Sequence, residues 1–258
     1  MKKFIPKYSV LYYILSGGKI IWSNITALPS YKKEYKKFRK ISLTAEERFP
    51  LNWDNKLPCL TDKTTETTFD SHYIYHPAWA SRILAQTNPE LHIDISSTLH
   101  FCTMLSAFIP VKFYDYRPAS LTLSNLSSEK ADLLNLPFQN DSISSVSCMH
   151  TIEHIGLGRY GDPLDYDGDI KAIKELIRVT KNTGDILFVT PVGQPKLMFN
   201  GQRIYSYEQV ISYFTNCTLM DFSLIPDNGG IINNADPKLV KEQKYGCGCF
   251  WFRKIYTN

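Results

Sequence analysis

Two histidines and a carboxylate, His150, Glu153 and His154, follow the apolar run SISSVSCM at 142–149. An imidazole held by a carboxylate is a common provision for a general base, so His154 is the first candidate for moving a proton, His150 the second, with Glu153 as the carboxylate. The segment that Glu153 opens, EHIGLGRYGDPLDYDGD (153–169), adds Gly156, Gly158 and Gly161, which permit a tightly folded loop, and Arg159, Tyr160, Asp162, Asp165, Asp167 and Asp169 as its polar cargo. Three uses compete for that cargo. One is acid–base chemistry around the histidines. Another is a divalent cation held by two or three of the aspartates, because hard cations take oxygen ligands. The third is architectural, with Asp167 or Asp169 capping the next helix and Asp162 pairing with Arg159.

A second polar cluster lies in GQPKLMFNGQRIYSYEQV at 193–210. Arg203 suits bidentate capture of a phosphate or carboxylate, and Tyr205 suits stacking on a sugar or base. Arg159, Tyr160, Asp162, Asn200, Arg203 and Tyr205 are therefore the expected acceptor-binding residues; a surface loop whose arginine pairs with a nearby aspartate is the competing reading. His72 and His76, one turn apart, are read as a satisfied surface pair in preference to a metal pair. Cys247 and Cys249 are read as turning their thiols to opposite faces of a strand, and no metal is expected there.

These residues need a scaffold, and the chain alternates apolar runs with helical patterns from about residue 91. LHIDIS, VKFYD, SISSVSCMH and DILFVT read as strands, and TLHFCTMLSAF and DIKAIKELIRVTK as helices, the last with Ile170, Ile173, Leu176 and Ile177 at core spacing. Such alternation predicts an α/β protein with a mostly parallel sheet covered on both faces. CTLMDFSLIPD and GCGCFWFRKIY add an antiparallel C-terminal strand pair. Residues 69–90 read as a helix with Trp79, Ile83 and Leu84 inward.

Residues 1–68 form an N-terminal extension and 69–258 the main domain. With 43% hydrophobic and 21% charged residues in 258, a full core is available. The net charge of +4 is small and its basic excess is concentrated at 31–40, which argues against a nucleic-acid binder. Residues 1–40 are too interrupted to span a bilayer. They read as a helical arm that packs on its own domain or on a second copy, with contact to an anionic membrane surface as the alternative. Six irregularly spaced cysteines fit reduced thiols in a cytoplasmic protein.

In an open parallel sheet, ligands sit beyond the carboxyl ends of the strands. There the sequence places Asp94 and the Ser96–Ser97 pair after the first strand, Asp115 and Tyr116 after the second, and Asp132 and Leu133 before the fourth. This ordered set resembles the class I S-adenosylmethionine-dependent methyltransferases over residues 91–193. The resemblance implies a Rossmann-like fold, S-adenosylmethionine as cofactor, and Asp94, Ser96, Ser97, Asp115, Tyr116, Asp132, Leu133 and His150 around it. One departure stands out, since DISSTLHF carries none of the glycines of the family's first loop; the serines are small, and their hydroxyls could bond a carboxylate. The 153–169 segment, PVGQPKLMFNGQRIYS and the terminal YGCGCFWF are similar to domain-of-unknown-function family 268, a methyltransferase-like group. Together these imply O-methylation of a sugar or sugar-phosphate acceptor in surface polysaccharide synthesis. Two alternatives stay open: a non-catalytic member that binds a glycan or partner, and an enzyme using the pocket for other acid–base chemistry on a nucleotide sugar.

Overall fold

A computed structural model describes residues 10–255, with side chains from residue 26 onward. The chain divides into two compact units, Met1–Thr68 and Phe69–Asn258. In the first, α1 (Val10–Ser42) carries the basic run on its second half. Trp53 packs edge-on against Tyr35, their ring centroids 4.7 Å apart, and Lys63 pairs with Glu34. The expected membrane or dimer contact of residues 1–40 falls partly outside the described residues. Among the described residues no helix is long and apolar enough to cross a membrane.

The second unit opens with α2 (Ser71–Thr87), whose N-cap Asp70 accepts from the amides of His72 and Tyr73 and whose C-cap Asn88 is left-handed. Then follow β1 (His92–Ile95), α3 (Leu99–Leu105), β2 (Val111–Asp115), β3 (Leu126–Lys130), β4 (Ile143–Met149), α4 (Gly168–Val179) and β5 (Thr180–Val192). A hairpin of β6 (Lys196–Met198) and β7 (Gln202–Ile204), α5 (Tyr207–Tyr213), β8 (Cys217–Ile225) and β9 (Gly246–Lys254) complete it. The main sheet has the order β3-β2-β1-β4-β5-β9-β8, with every strand parallel except β9, which runs antiparallel to both of its neighbours, β5 and β8. β1, β4 and most of β5 are buried on both faces, which is why they read as continuous apolar runs and not as alternating ones. One face packs on α4 and α5 through Leu176, Phe188 and Phe250, the other on α2 and α3 through Leu84, Phe101 and Leu187.

Several local expectations change. β3 escaped notice in the sequence because only Leu126 of its five residues is buried, as suits a sheet edge. The 193–210 segment folds as the β6–β7 hairpin, and Ser206 with Gln209 forms a capping box that starts α5. Asp167 sits at the N-cap of α4 without a side-chain capping bond. The cysteine reading is wrong in parity, because strand residues two apart share a face, and Cys247 and Cys249 both join the core beneath α2. All six cysteines are free thiols.

Candidate active site

The turn after β1 does by other means what glycine usually does. Ser96 takes a left-handed backbone (φ 56°), and Asp94, fully buried, receives the Ser97 amide at 3.0 Å and the Ser147 hydroxyl. A non-glycine residue there costs roughly 1–2 kcal/mol, offset here by the Asp94 grip and by the Ser96 amide donating to Tyr114 O at 2.7 Å. The hydroxyls expected to meet a ligand carboxylate are instead engaged within the fold: Ser96 Oγ donates to Tyr114 O, and Ser97 Oγ accepts from the Met149 amide. At the next strand end, half-buried Asp115 accepts from the Arg117 amide at 2.6 Å through one oxygen, and exposed Asp132 accepts from Leu134. Tyr116 is exposed and Leu133 buried.

β4 leads into a short 3-10 turn, Ile152–His154, that positions the histidine–carboxylate set. His150 Nδ1 is 2.8 Å from Glu153 Oε1, and His154 Nε2 is 3.8 Å from the same oxygen. All three side chains are buried. His154 Nδ1 meets Gly201 O at 2.7 Å, while Arg159 Nη1 lies against the ring, 3.1 Å from Nδ1. Burial is the main reason the His154 pKa is lowered, and Arg159 adds to it against the pull of Glu153.

The structure corrects part of the acceptor set. Arg203 is 6% exposed, and its guanidinium donates to Ile155 O at 2.7 Å and Tyr166 O at 2.9 Å while Nε pairs with Asp169. It ties the glycine loop to β7, with its donors engaged within the fold. Tyr205 is likewise buried, its hydroxyl donating to Asp169 at 2.8 Å. Asp162 does not pair with Arg159; its carboxylate accepts the amides of Gly156, Gly158 and Tyr160. Gly156 has φ 79°, and a Cβ there would stand 2.0 Å from Asp165 O, so this glycine is required by close approach as well as by conformation. The aspartates therefore serve architecture, Asp165 pairing with Lys171, and among the described residues they converge on no cation site. Tyr160 lies under Arg117 and Arg159 at the surface, and Asn200 turns the hairpin with φ 59°.

His72 and His76 are not a surface pair. His76 is fully buried with Nδ1 2.6 Å from His72 O, and His72 stacks on His150 with centroids 5.2 Å apart. Burial foremost, helped by the charge of His150, lowers the His72 pKa to about 4, and burial raises Tyr73 and Tyr245 to about 12. Tyr73 and His76 also pack on the His150 ring, and Tyr245 on that of His72. The signal missed in the sequence is helical phase: His72, His76, Trp79, Ile83 and Leu84 share the buried stripe of α2.

The strand order, the left-handed turn gripped by an acid after β1 and the acid ending β2 define a Rossmann-like class I methyltransferase fold. Residues 116–220 match the family described as Caenorhabditis protein of unknown function, DUF268. Among solved structures the chain is similar to the MccD protein, at 11% identity and TM-score 0.51, covering 70% of this chain and 96% of that one. It is also similar to 1,6-didemethyltoxoflavin-N1-methyltransferase of Burkholderia thailandensis, solved with 1,6-didemethyltoxoflavin and S-adenosylhomocysteine, at 9% identity and TM-score 0.51, covering 70% and 79%. At such identities the likeness is one of fold. No curated protein matches the chain.

Proposed function

We propose that the chain is an S-adenosylmethionine-dependent methyltransferase that acts on a hydroxyl of a polar acceptor, a sugar or sugar phosphate. The observation that carries the cofactor reading is the turn at Ser96. Its left-handed backbone and the Asp94–Ser97 grip shape a loop of the kind that cradles this cofactor without the glycines that normally make it, beside an acid at the end of β2. The likeness to a methyltransferase solved with S-adenosylhomocysteine supports it. A polar acceptor, and with it a role in surface polysaccharide synthesis, is supported by the polar groups beside the base: Arg159 lies against the His154 ring, and the exposed Tyr160 meets that ring edge-on, with centroids 5.7 Å apart.

S-adenosylmethionine, when bound, supplies an electrophilic methyl group on a positively charged sulfur. Asp115, at the end of β2, would hold the ribose hydroxyls through its carboxylate, and Asp132 and Leu133 would serve the adenine. His154 is the base. Its Nδ1–H donates to Gly201 O, which fixes the tautomer and leaves Nε2 with the lone pair for the acceptor's proton. Burial keeps the ring neutral beforehand, and Glu153 stabilises the imidazolium once it forms.

Calorimetry with S-adenosylhomocysteine tests the reading directly. Binding to the wild type is expected, and Asp115→Ala should weaken it by about tenfold or more, the loss of a charge-assisted hydrogen-bond pair. Heat with nucleotide sugars and none with S-adenosylhomocysteine would support the non-methylating alternative.

A further inference from the structure

The buried packing at the first turn of α2 brings together three metal-ligating side chains that the sequence keeps far apart. One ring nitrogen each of His72 and His150 and the Sγ of Cys247 lie within 4.8 Å of one another, and among the described residues no other group of three metal-ligating side chains converges this way. They come from the first turn of α2, the exit of β4 and the start of β9, at the carboxyl edge of the sheet. We propose that His72, His150 and Cys247 form a binding site for a zinc-class divalent ion, with Glu153 as the residue that orients His150. The site goes beyond the methyl-transfer reading and does not depend on it.

Four observations carry the assignment. Zn–N and Zn–S bonds of ~2.0–2.3 Å put ligand atoms roughly 3.5 Å apart around a tetrahedral ion, so side-chain shifts of about 1 Å close the observed triangle. His150 Nδ1 is engaged by Glu153 Oε1 at 2.8 Å, which leaves Nε2 as the coordinating nitrogen; metal-bound histidines almost always hold their other nitrogen this way. Two atoms here lack any hydrogen-bond partner although buried, His150 Nε2 and Glu153 Oε2, on side chains only 3% and 1% exposed. An unpaired buried nitrogen is costly; a cation on His150 Nε2 answers it directly, and its charge offsets that of the buried Glu153 carboxylate. Charge closes as well: Glu153 is ion-paired with no lysine or arginine among the described residues, so one carboxylate and one thiolate together balance a doubly charged ion.

The ligand set selects the metal. Two imidazoles and a thiolate favour zinc and its late first-row neighbours over Mg²⁺ or Ca²⁺, which take oxygen. Three protein ligands leave one position open, the arrangement of zinc sites that bind water or substrate. On binding, the Cys247 S–H bond breaks as the S–metal bond forms and its proton passes to solvent, while each histidine coordinates through a ring-nitrogen lone pair.

Cobalt(II) makes the test spectroscopic. The full chain, stripped with chelator and titrated with Co²⁺, is expected to bind one equivalent with an intense thiolate-to-cobalt charge-transfer band in the near ultraviolet, to release about one proton per ion and to melt at a higher temperature; Zn²⁺ should displace the cobalt. Cys247→Ser should abolish the band, and Cys249→Ser, which alters the neighbouring buried thiol, should keep it. Glu153→Gln should weaken binding by about 10–100-fold while retaining the band. A wild-type chain that shows no such band overturns the proposal whatever the variants do. So does a band that survives Cys247→Ser.

Discussion

Arg203→Ala is expected to lower the free energy of unfolding by about 3–5 kcal/mol, the cost of removing one partner from a buried ion pair and its hydrogen bonds. The guanidinium spends its donors on Ile155 O, Tyr166 O and, at 3.5 Å, Asp165 O, while Nε faces Asp169 at 3.4 Å. Truncation would strand the Asp169 carboxylate, itself 4% exposed, with the Tyr205 hydroxyl as its remaining side-chain partner among the described residues. It would also release both ends of the glycine loop from β7. Arg203→Lys should recover only a fraction, because an ammonium cannot span carbonyls on two segments as the planar fork does. Urea denaturation reads the loss. Undiminished stability together with weakened acceptor binding would reinstate Arg203 as an acceptor anchor, the role its position in the sequence first implies.

That reversal marks where the sequence is legible. Apolar periodicity carries phase, so the inward faces of α2 and α4 and the buried strands β1, β4 and β5 can be read directly, as can Asp115 at the end of β2. The polar partners of Arg203, Asp162 and His154 carry no such signal. Each is decided by a backbone carbonyl or amide brought in by the fold, such as Gly201 O for His154. Nothing in the residue types at 193–204 distinguishes a hairpin that buries an arginine from a loop that displays one. His72 shows the opposite case: its phase along α2 did mark it as buried, yet a histidine pair in isolation reads as surface. Cys247 needed only the period of two. The loop after β1 is intermediate, for the absence of glycine is visible in the sequence while the left-handed turn that Ser96 adopts anyway is not.

Asp94 gives the second large effect, and it appears as a dependence on pH. The carboxyl is fully buried, and burial raises its pKa from 3.8 to about 6, against the hydrogen bonds from Ser147 and Ser97 that favour the charged form. The folded chain therefore holds this proton more tightly than the unfolded one. The stability it contributes is fully present below about pH 4, is lost as pH rises toward 6, and stays lost above; two pH units correspond to roughly 2–3 kcal/mol. His92, bonded through Ser147 to the same carboxylate, has the opposite sign. Burial lowers its pKa to about 3, so it favours folding more as pH rises toward its ordinary 6.5, and the raw stability curve mixes the two. Comparison with Asp94→Asn separates them, because the amide can still accept from the Ser97 amide and His92 remains in both proteins. The difference in unfolding free energy, wild type minus variant, should fall by about 2–3 kcal/mol between pH 4 and pH 7. A flat difference, or one that rises with pH, would mean that the loop amide and the Ser147 hydroxyl outweigh burial. Asp94 would then be a carboxylate stabilised by the turn it grips, with no desolvation penalty left for the β1 loop to carry.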